Sequence, residues 1–180
     1  AGYLPFLRRD PNTGVISGYS VDLLKAITDP LGVTIEWKET TWDNMKQDLL
    51  LGKFDIMVEP IFYTIPRATQ VGYTRPYAYF GFGVPVVRKG ENRFRRIEDF
   101  NDPKVKLAVT QGVTDQEFVA RKLPNANIKL IPGNDISITL TEVLVGKADA
   151  AIADVPTVLQ FLKVHPNEVE ALFLDNPPAI

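Results

Sequence analysis

Two kinds of segment alternate along this chain, and their order is the sequence feature that most restricts its fold. In the first half, the runs at residues 33–37 and 54–58 are apolar and rich in β-type residues, so we predict buried strands there. Helices are predicted at residues 20–27, with Ser20 as the N-cap, and after Thr41. Strands that alternate with helices in this way are typical of α/β folds with a mainly parallel sheet.

The same order of elements starts again in the second half. Strands are predicted at residues 105–109, 128–131 and 148–153. One helix is predicted at residues 136–145, and another begins after Asp154. The chain is therefore predicted to hold two α/β units in tandem. Because ligands of open α/β sheets bind beyond the carboxyl ends of the strands, two units that face each other would line a common cleft.

A stretch of β-type residues interrupted by three chain breakers separates the two units. It runs from residue 77 to residue 88 and contains Gly81, Gly83 and Pro85. Such a run can cross from one lobe to another, and its glycines favour a flexible approach to a hinge. We therefore predict four parts in chain order. They are a first lobe at residues 1–84, a hinge crossing at residues 85–90, a second lobe at residues 91–174 and the start of a return crossing at residues 175–180.

The composition excludes several classes of site and partner. The chain has no cysteine, which excludes disulfides, thiolate metal sites and cysteine nucleophiles. Its single histidine, His165, leaves too few residues for a histidine-based metal site or a Ser-His-Asp triad. The net charge of −2, with both signs mixed along the chain, gives no support for a nucleic-acid partner. We expect a monomer that works without a metal or cofactor.

The clearest functional signal is the segment from Thr64 to Arg67, which follows the predicted strand at residues 54–58. Thr64 is a favourable N-cap, and Pro66 fits the first turn of a helix. The free backbone N–H groups of that turn and the guanidinium of Arg67 would together suit a carboxylate. The alternative for Arg67 is a surface position in a weak ion pair.

Short motifs along the chain match, in order, those of one protein family. They are residues 18–27, 31–33, 42–45, 52–56, 64–67, 74–77, 97–99, 111–114 and 146–150. With these motifs the chain resembles the family 3 extracellular solute-binding proteins, the polar amino-acid receptors of ABC importers. The same module forms the ligand-binding core of ionotropic glutamate receptors. The resemblance extends over nearly the whole chain and implies a bilobal α/β fold, of the Venus-flytrap type, that closes on a small molecule.

The resemblance also implies a ligand site shared by the two lobes. The arginine that matches Arg67 binds the α-carboxylate of the ligand, and the acidic residue that matches Asp154 accepts the α-ammonium. A buried ammonium and a buried carboxylate each need a paired partner, so taking one partner from each lobe makes closure depend on the ligand. The supporting residues implied are Thr64, Gln111, Gly112, Val113 and Thr114 around the carboxylate, and Tyr3 and Trp42 as aromatic contacts.

Several of these residues have an alternative role that the sequence leaves open. Asp154 is also a suitable N-cap for the helix that follows it, and the two roles can coexist. Thr114 is a capping residue by its spacing to Glu117. Trp42 fits the core as well as a pocket, and Tyr3 lies near the beginning of the chain, where fraying is common.

The chain departs from the family pattern just before the arginine. Importer proteins commonly have Gly and Thr where this chain has Pro60 and Phe62. Proline is familiar there from the glutamate-receptor branch, where its carbonyl helps to hold the ammonium, and Pro60 keeps its C=O group. Phe62 removes a hydroxyl and adds bulk, which favours a smaller, flatter or more apolar ligand. Glu59 would favour a basic ligand group if it faced the cleft, but we expect it to be a solvated charge at the strand end.

The resemblance implies an extracytoplasmic binding protein that is not an enzyme. It would capture an amino acid or a related polar solute and deliver it to the permease of a membrane importer. Its location would be periplasmic or extracellular, with a lipid anchor as an option. The alternatives are the ligand-sensing domain of a receptor and, with less support, a dehydratase-like enzyme on the same fold. Family members normally return to the first lobe after a segment like residues 172–180, so we expect the first lobe to be incomplete without that return.

Overall fold

The two halves of the chain form separate sheets in the computed structural model, which describes residues 2–175. We call residues 2–83 the N-terminal half and residues 84–175 the C-terminal half. In the N-terminal half, β1 (Gly2–Tyr3), β2 (Leu7–Arg9) and β3 (Ile16–Ser17) form an antiparallel sheet in that order. In the C-terminal half, five strands pair in the order β6-β5-β7-β4-β8. They are β4 (Val84–Arg88), β5 (Lys106–Thr110), β6 (Asn127–Ile131), β7 (Ala150–Ala153) and β8 (Val169–Ala171).

Helices connect these strands and cover the larger sheet. Those of the N-terminal half are α1 (Tyr19–Thr28), α2 (Met45–Leu50) and α3 (Ile65–Ala68). Those of the C-terminal half are α4 (Thr114–Lys122), α5 (Ser137–Leu144) and α6 (Val155–Val164). Short 3₁₀ turns occupy Asp29–Leu31 and Ile97–Phe100. No helix within residues 2–175 has the length and apolar character needed to cross a membrane.

The central strands of the five-stranded sheet, β4, β5 and β7, are buried on both faces. Val86 and Val87 are neighbours in β4 and are both fully buried, but they belong to different apolar clusters because successive side chains of a strand point to opposite faces. Leu107 and Ala108 divide in the same way in β5. This double burial explains why these strands read as continuous apolar runs in the sequence. The strands and helices predicted for the second half of the chain are confirmed, with bounds shifted by one or two residues.

The topology brings two strand ends to one edge of this sheet. Strands β5 and β7 are parallel neighbours, with Val109 opposite Ile152. Their carboxyl ends therefore lie side by side. The loop after β5 leads into α4, and Asp154 follows β7 directly and begins α6. This edge faces the N-terminal half.

The N-terminal half differs from the prediction, because residues 33–37 and 54–58 are not strands. A strand needs a backbone partner, and these two segments form no ladder with one another or with the rest of residues 2–175. Tyrosine hydroxyls donate hydrogen bonds to backbone carbonyl groups at the end of the second segment and just after it. Tyr77 donates to the carbonyl of Val58 at 3.2 Å, and Tyr73 donates to that of Phe62 at 3.2 Å.

Two predicted helix caps are also displaced. Ser20 lies inside α1, whose N-cap is Gly18. Gly18 has φ 129°, and a Cβ there would lie 2.4 Å from the carbonyl oxygen of Phe6. Only glycine therefore fits at the N-cap of α1. Thr114 is the first residue of α4 and makes no side-chain cap, because Val113 holds the extended N-cap position.

Part of the predicted hinge crossing lies inside the large sheet. Residues 85–88 belong to β4, which is hydrogen-bonded to both β7 and β8. We therefore propose that the crossing between the halves runs through Gly81–Gly83, immediately before β4. Of the predicted return crossing at residues 175–180, only Asp175 is described, and the remainder lies outside the described residues.

Candidate functional site

A cavity lies between the N-terminal and C-terminal halves. It has a volume of about 290 Å³, including a part that is open to solvent. No three His, Cys, Asp or Glu side chains in the described chain come together to hold a metal ion.

Most residues predicted to bind a ligand meet at this cavity. Those that line it are Tyr3, Trp42, Pro60, Phe62, Arg67, Val113, Thr114 and Asp154. The other three predicted residues, Thr64, Gln111 and Gly112, lie beside it and contact the surrounding chain. Their roles in binding remain predictions. Three lining residues were not predicted, namely Ile61, Asp115 and Ile136.

Arg67 reaches from the N-terminal half to the start of α4. Its Nη1 donates to Thr114 Oγ1 at 3.0 Å, and its Nη2 donates to the carbonyl oxygen of Gly112 at 3.0 Å. Its Nη2 also lies 3.3 Å from Glu117 Oε1, and only 13% of the Arg67 side chain is exposed. Arg67 is thus neither a free surface arginine nor a simple surface ion pair, because its contacts join the two halves.

The turn that carries Arg67 is short. Helix α3 has only four residues, with Thr64 at the extended N-cap position and Pro66 in the first turn, as predicted. The Thr64 side chain makes no capping hydrogen bond. Its Oγ1 is buried and has no hydrogen-bond partner among residues 2–175. A buried hydroxyl normally has a partner, so Thr64 has unused hydrogen-bonding capacity beside Arg67.

The backbone of Gly112 packs directly against that of the N-terminal half. Its φ is +84°, and an added Cβ would lie 2.4 Å from the backbone nitrogen of Asp43 and 2.5 Å from the backbone carbon of Trp42. Gly112 N–H donates to Gln116 Oε1 at 2.7 Å. Nearby, Gln111 Nε2 donates to Asp43 Oδ2 at 3.5 Å across the same gap. Glycine is therefore needed here for both its backbone conformation and its lack of a side chain.

Asp154 is a buried helix cap that also faces the cavity. Its Oδ1 accepts from the backbone N–H of Thr157 at 2.9 Å, and its Oδ2 accepts from Thr157 Oγ1 at 3.2 Å. Asp154 is therefore the N-cap of α6 and also part of the cavity wall, and its role in binding an ammonium remains a prediction. Burial raises the pKa of Asp154 to about 6, although hydrogen bonds from Thr157 and from the Tyr3 hydroxyl oppose that shift.

Asp115 is a second buried carboxyl at the same edge of the sheet. It lies in the first turn of α4 and is 2% exposed. Its Oδ1 accepts from the backbone N–H of Gly83 at 2.7 Å, which ties α4 to the start of β4. Burial first, and then the charge of Asp154, raise the pKa of Asp115 to about 7, while Arg67 opposes this.

Aromatic side chains form the apolar side of the cavity. Tyr3 and Trp42 pack edge to face with ring centroids 5.5 Å apart, and both are buried. Trp42 therefore belongs to the core and to the cavity wall, and Tyr3 is held in β1. The Nε1 of Trp42 is buried without a hydrogen-bond partner in the described chain. Phe62 packs on Phe82 at 4.7 Å, which places its bulk against the segment between the halves.

The expectation for Glu59 was wrong. It was predicted to be a solvated charge at the end of a strand, but no strand precedes it, it is only partly exposed, and burial raises its pKa to about 7. Glu59 lines a second cavity, of about 980 Å³ including open solvent, which lies mostly within the N-terminal half.

Comparison with known proteins places the chain in a family. The model of the bacterial extracellular solute-binding proteins, family 3, matches residues 1–163, which is most of the chain. The chain belongs to this family. Its bilobal α/β architecture is that of the solved relatives.

Three relatives of this family 3 protein illustrate the match. A probable amino-acid ABC transporter-binding protein of Haemophilus influenzae is 31% identical over 92% of this chain and 61% of its own length. A cyclohexadienyl dehydratase of Pseudomonas aeruginosa is 28% identical over 91% of this chain and 60% of its own length. The crystal structure of an ancestral amino acid-binding protein, a precursor of cyclohexadienyl dehydratase, is 34% identical with a TM-score of 0.85 and covers 96% of this chain and 73% of that one.

This family 3 chain thus spans about 60% of the length of those two curated relatives. Within that span, the sequence identified the charged residues Arg67 and Asp154 but missed Asp115. The sequence does not set Asp115 apart, because it lies in the first turn of α4, where an acidic residue is ordinary. Ile61 and Ile136 carry no signal either, since apolar residues are common throughout the chain.

Proposed function

We propose that this chain is the ligand-binding part of an extracytoplasmic solute-binding protein that captures an amino acid between its two halves. One observation carries the proposal: a guanidinium from the N-terminal half and a carboxyl from the C-terminal half, Arg67 and Asp154, line one small cavity. An α-amino acid carries the complementary pair of charges. The names of the relatives, an amino-acid transporter-binding protein and an ancestral amino acid-binding protein, support the same conclusion.

The α-carboxylate of the ligand would bind between Arg67 and Thr114. The Thr114 hydroxyl already accepts from Arg67, so its own O–H is free to donate to a carboxylate oxygen. Arg67 supplies further N–H groups in a planar fork that matches a carboxylate. Thr64 Oγ1 and the backbone at residues 111–113 would add hydrogen bonds around this group.

The α-ammonium would bind at Asp154. Both oxygens of this carboxylate are already oriented by Thr157, so the charge is held in place before a ligand arrives. Pro60 lines the same cavity from the N-terminal half, and its carbonyl would accept a further hydrogen bond. Tyr3, Trp42 and Phe62 would then enclose the carbon skeleton.

Replacement of Arg67 tests this proposal directly. We expect Arg67→Ala to lower the affinity for bound amino acids by the equivalent of about 2–5 kcal/mol, because it removes the partner of a desolvated carboxylate. Isothermal titration calorimetry against the twenty amino acids, first with the unmodified chain and then with the variant, measures this loss.

Arg121→Ala is the matched control, since Arg121 lies on the exposed side of α4 away from the cavity. It should bind as the unmodified chain does. Equal affinity of Arg67→Ala and Arg121→Ala for the same amino acid would remove the central role proposed for Arg67.

The proposed partner is the permease of a membrane importer, and the proposed location is outside the cytoplasm. The family description, extracellular, and the transporter-binding name of the Haemophilus relative support both. We propose that the chain acts as a monomer and that the site binds its ligand without a metal or cofactor.

A second candidate function is a dehydratase reaction, although we propose that the site performs no chemistry. The observation in its favour is a pair of carboxyls, Asp115 and Asp154, that can hold a proton near neutral pH and could donate it to a leaving group. One relative is a cyclohexadienyl dehydratase. Incubation of the purified chain with a cyclohexadienyl acid, followed by chromatography, separates the two functions: consumption supports the enzyme, and an unchanged substrate supports the binding protein.

A further inference from the structure

The cavity carries more negative than positive groups. Among the described residues, the ionisable side chains that line it besides Tyr3 are Arg67, Asp115 and Asp154. Arg67 already has an acidic neighbour, since Glu117 Oε1 lies 3.3 Å from its Nη2. The wall thus presents two carboxyls and one guanidinium that is partly neutralised.

A neutral amino acid does not balance this arrangement. Its carboxylate pairs with Arg67 and its ammonium pairs with Asp154, which leaves Asp115 buried beside Asp154 with no cation opposite it. A buried carboxylate without a partner is costly unless it takes up a proton. A ligand with a second positive charge would provide the missing partner.

We propose that Asp115 is a specificity-determining residue that selects amino acids with a cationic side chain over neutral amino acids of the same shape. This inference rests on the function proposed above and identifies its ligand class. The α-ammonium binds at Asp154 and the side-chain cation binds at Asp115, so both carboxyls are ionised and paired in the complex. A neutral ligand binds only with Asp115 protonated.

The selection depends on pH for this reason. The groups that face Asp115 are Asp154, which disfavours its ionised form, Arg67, which favours it, and the backbone N–H of Gly83, which also favours it. Burial first, and then the charges of Asp154, Asp115 and Glu59, raise the pKa of the Tyr3 hydroxyl. Burial raises the pKa of Asp115 to about 7. Below that pH, Asp115 is already protonated when a neutral ligand binds, whereas above it Asp115 must take up a proton as the ligand binds. The preference for a cationic ligand therefore increases as the pH rises.

Asp115 also has a structural contact that the test must separate from selection. Its Oδ1 accepts from Gly83 N–H at the point where the chain passes from one half to the other. Asparagine keeps a carbonyl oxygen for this hydrogen bond and removes only the charge. Asp115→Asn is therefore the informative variant. Asp102→Asn is the matched control, because Asp102 makes a similar contact to the backbone N–H of Lys104, away from the cavity.

The probes are L-arginine and L-citrulline, which have nearly the same shape and differ in the charge of the terminal group. The guanidinium stays charged throughout the useful pH range. Calorimetric titrations at about pH 5.5 and about pH 8 give the affinity ratio of the two probes. For the unmodified chain we expect a preference for L-arginine of about tenfold or more at the higher pH and at least about fivefold less at the lower pH.

In Asp115→Asn we expect the preference to fall to within about twofold at both pH values, through weaker binding of L-arginine and unchanged or tighter binding of L-citrulline. Asp102→Asn should keep the preference of the unmodified chain. An equal loss of affinity for both probes in Asp115→Asn would mean that Asp115 makes a structural contact only, and it would overturn the inference.

Three further outcomes show which claim is wrong. The first uses Glu59→Gln, which tests the other carboxyl with a raised pKa. If Glu59→Gln abolishes the pH-dependence and Asp115→Asn retains it, Asp115 is not the selecting residue. If the unmodified chain binds L-citrulline as well as L-arginine at both pH values, the selection is wrong but the proposed amino-acid function stands. If it binds neither probe nor any other amino acid, the proposed function fails and this inference fails with it.

Discussion

At the scale of single residues, Asp154 combines a structural role with a place in the cavity wall. Its oxygens cap α6 through Thr157, and the same group lines the cavity opposite the N-terminal half. The capping hydrogen bonds need only an oxygen acceptor, whereas recognition of an ammonium needs a negative charge. The two roles can therefore be separated by a substitution that keeps the oxygen and removes the charge.

We predict that Asp154→Asn weakens binding of amino acids more than binding of simple carboxylic acids. L-norvaline and pentanoate differ only in the α-ammonium. The variant should bind L-norvaline at least about tenfold more weakly, because the ammonium loses its ionic partner, and should leave pentanoate nearly unchanged. Calorimetry measures both affinities, and an equal loss for the two would mean that Asp154 is a helix cap alone.

The residue scale also shows what sequence reasoning could find. Arg67 was predictable from its own segment because it stands at a helix start after an apolar run, whereas the role of Asp154 was implied by the resemblance to the family 3 solute-binding proteins. Asp115 was not singled out, because an acidic residue in the first turn of a helix has an ordinary explanation in the helix dipole. Only its burial, to 2% exposure, distinguishes it from a surface residue that stabilises a helix.

At the scale of elements, the loop between β5 and α4 meets the backbone of the segment before α2. The contact is made at Gly112, whose Cα faces the peptide between Trp42 and Asp43. Arg67 donates to the carbonyl of the same Gly112. The two halves can therefore lie this close only because residue 112 is glycine and has no side chain.

We predict that Gly112→Ala separates the halves and lowers ligand affinity by about tenfold or more, because its Cβ would lie within 2.5 Å of backbone atoms that cannot move aside independently. Small-angle scattering should show a larger radius of gyration, and calorimetry the loss of affinity. Gly90→Ala is the control, since Gly90 has a similar φ of +80° with open space around it. It should cost about 1–2 kcal/mol of stability from backbone strain and leave affinity unchanged. Equal affinity in the two variants would contradict the prediction.

The elements of the two halves were predictable to different degrees. Strands β5 and β7 match the predicted runs because they are buried on both faces, and their apolar character follows from that burial. Residues 33–37 and 54–58 have the same kind of composition but are not strands. Composition records that a segment suits a strand, whereas a strand forms only when a neighbouring backbone pairs with it.

At the scale of the whole molecule, two buried carboxyls and one partly buried carboxyl have a raised pKa. Burial raises the pKa of Asp154 to about 6 and those of Asp115 and Glu59 to about 7, from ordinary values of 3.8 for the aspartates and 4.5 for the glutamate. The folded chain therefore binds more protons than the unfolded chain between about pH 4 and about pH 7. Its free energy of unfolding must fall as the pH rises through this window and level off above it.

We predict that the chain without ligand melts at a lower temperature at about pH 8 than at about pH 5.5. The expected difference in the free energy of unfolding is on the order of 2 kcal/mol, equivalent to about 4–8 °C for a chain of this size. Carboxyls with a lowered pKa, such as Asp10 and Asp99, lose their contribution to the free energy of unfolding only at more acidic pH, so they do not reverse this trend. Differential scanning calorimetry measures the difference, which should shrink in Asp115→Asn. A melting temperature that rises over this range would contradict the prediction.

The sequence by itself determined the α/β order of elements in the second half of the chain, the strands of the larger sheet, and the position of Arg67 at a helix start. These features depend on local pattern: the period of apolar residues, the residues that begin helices, and charges next to strand ends. Tertiary structure decided which extended segments found a partner strand, how closely Gly112 approaches the other half, and which carboxyls are removed from water. Each of these depends on residues far apart in the chain, such as Arg67 and Thr114, which are separated by 47 positions and yet share a hydrogen bond. Burial and backbone pairing arise only when such distant segments meet, and that meeting converts Asp115 from an ordinary helix residue into a buried charge at the cavity.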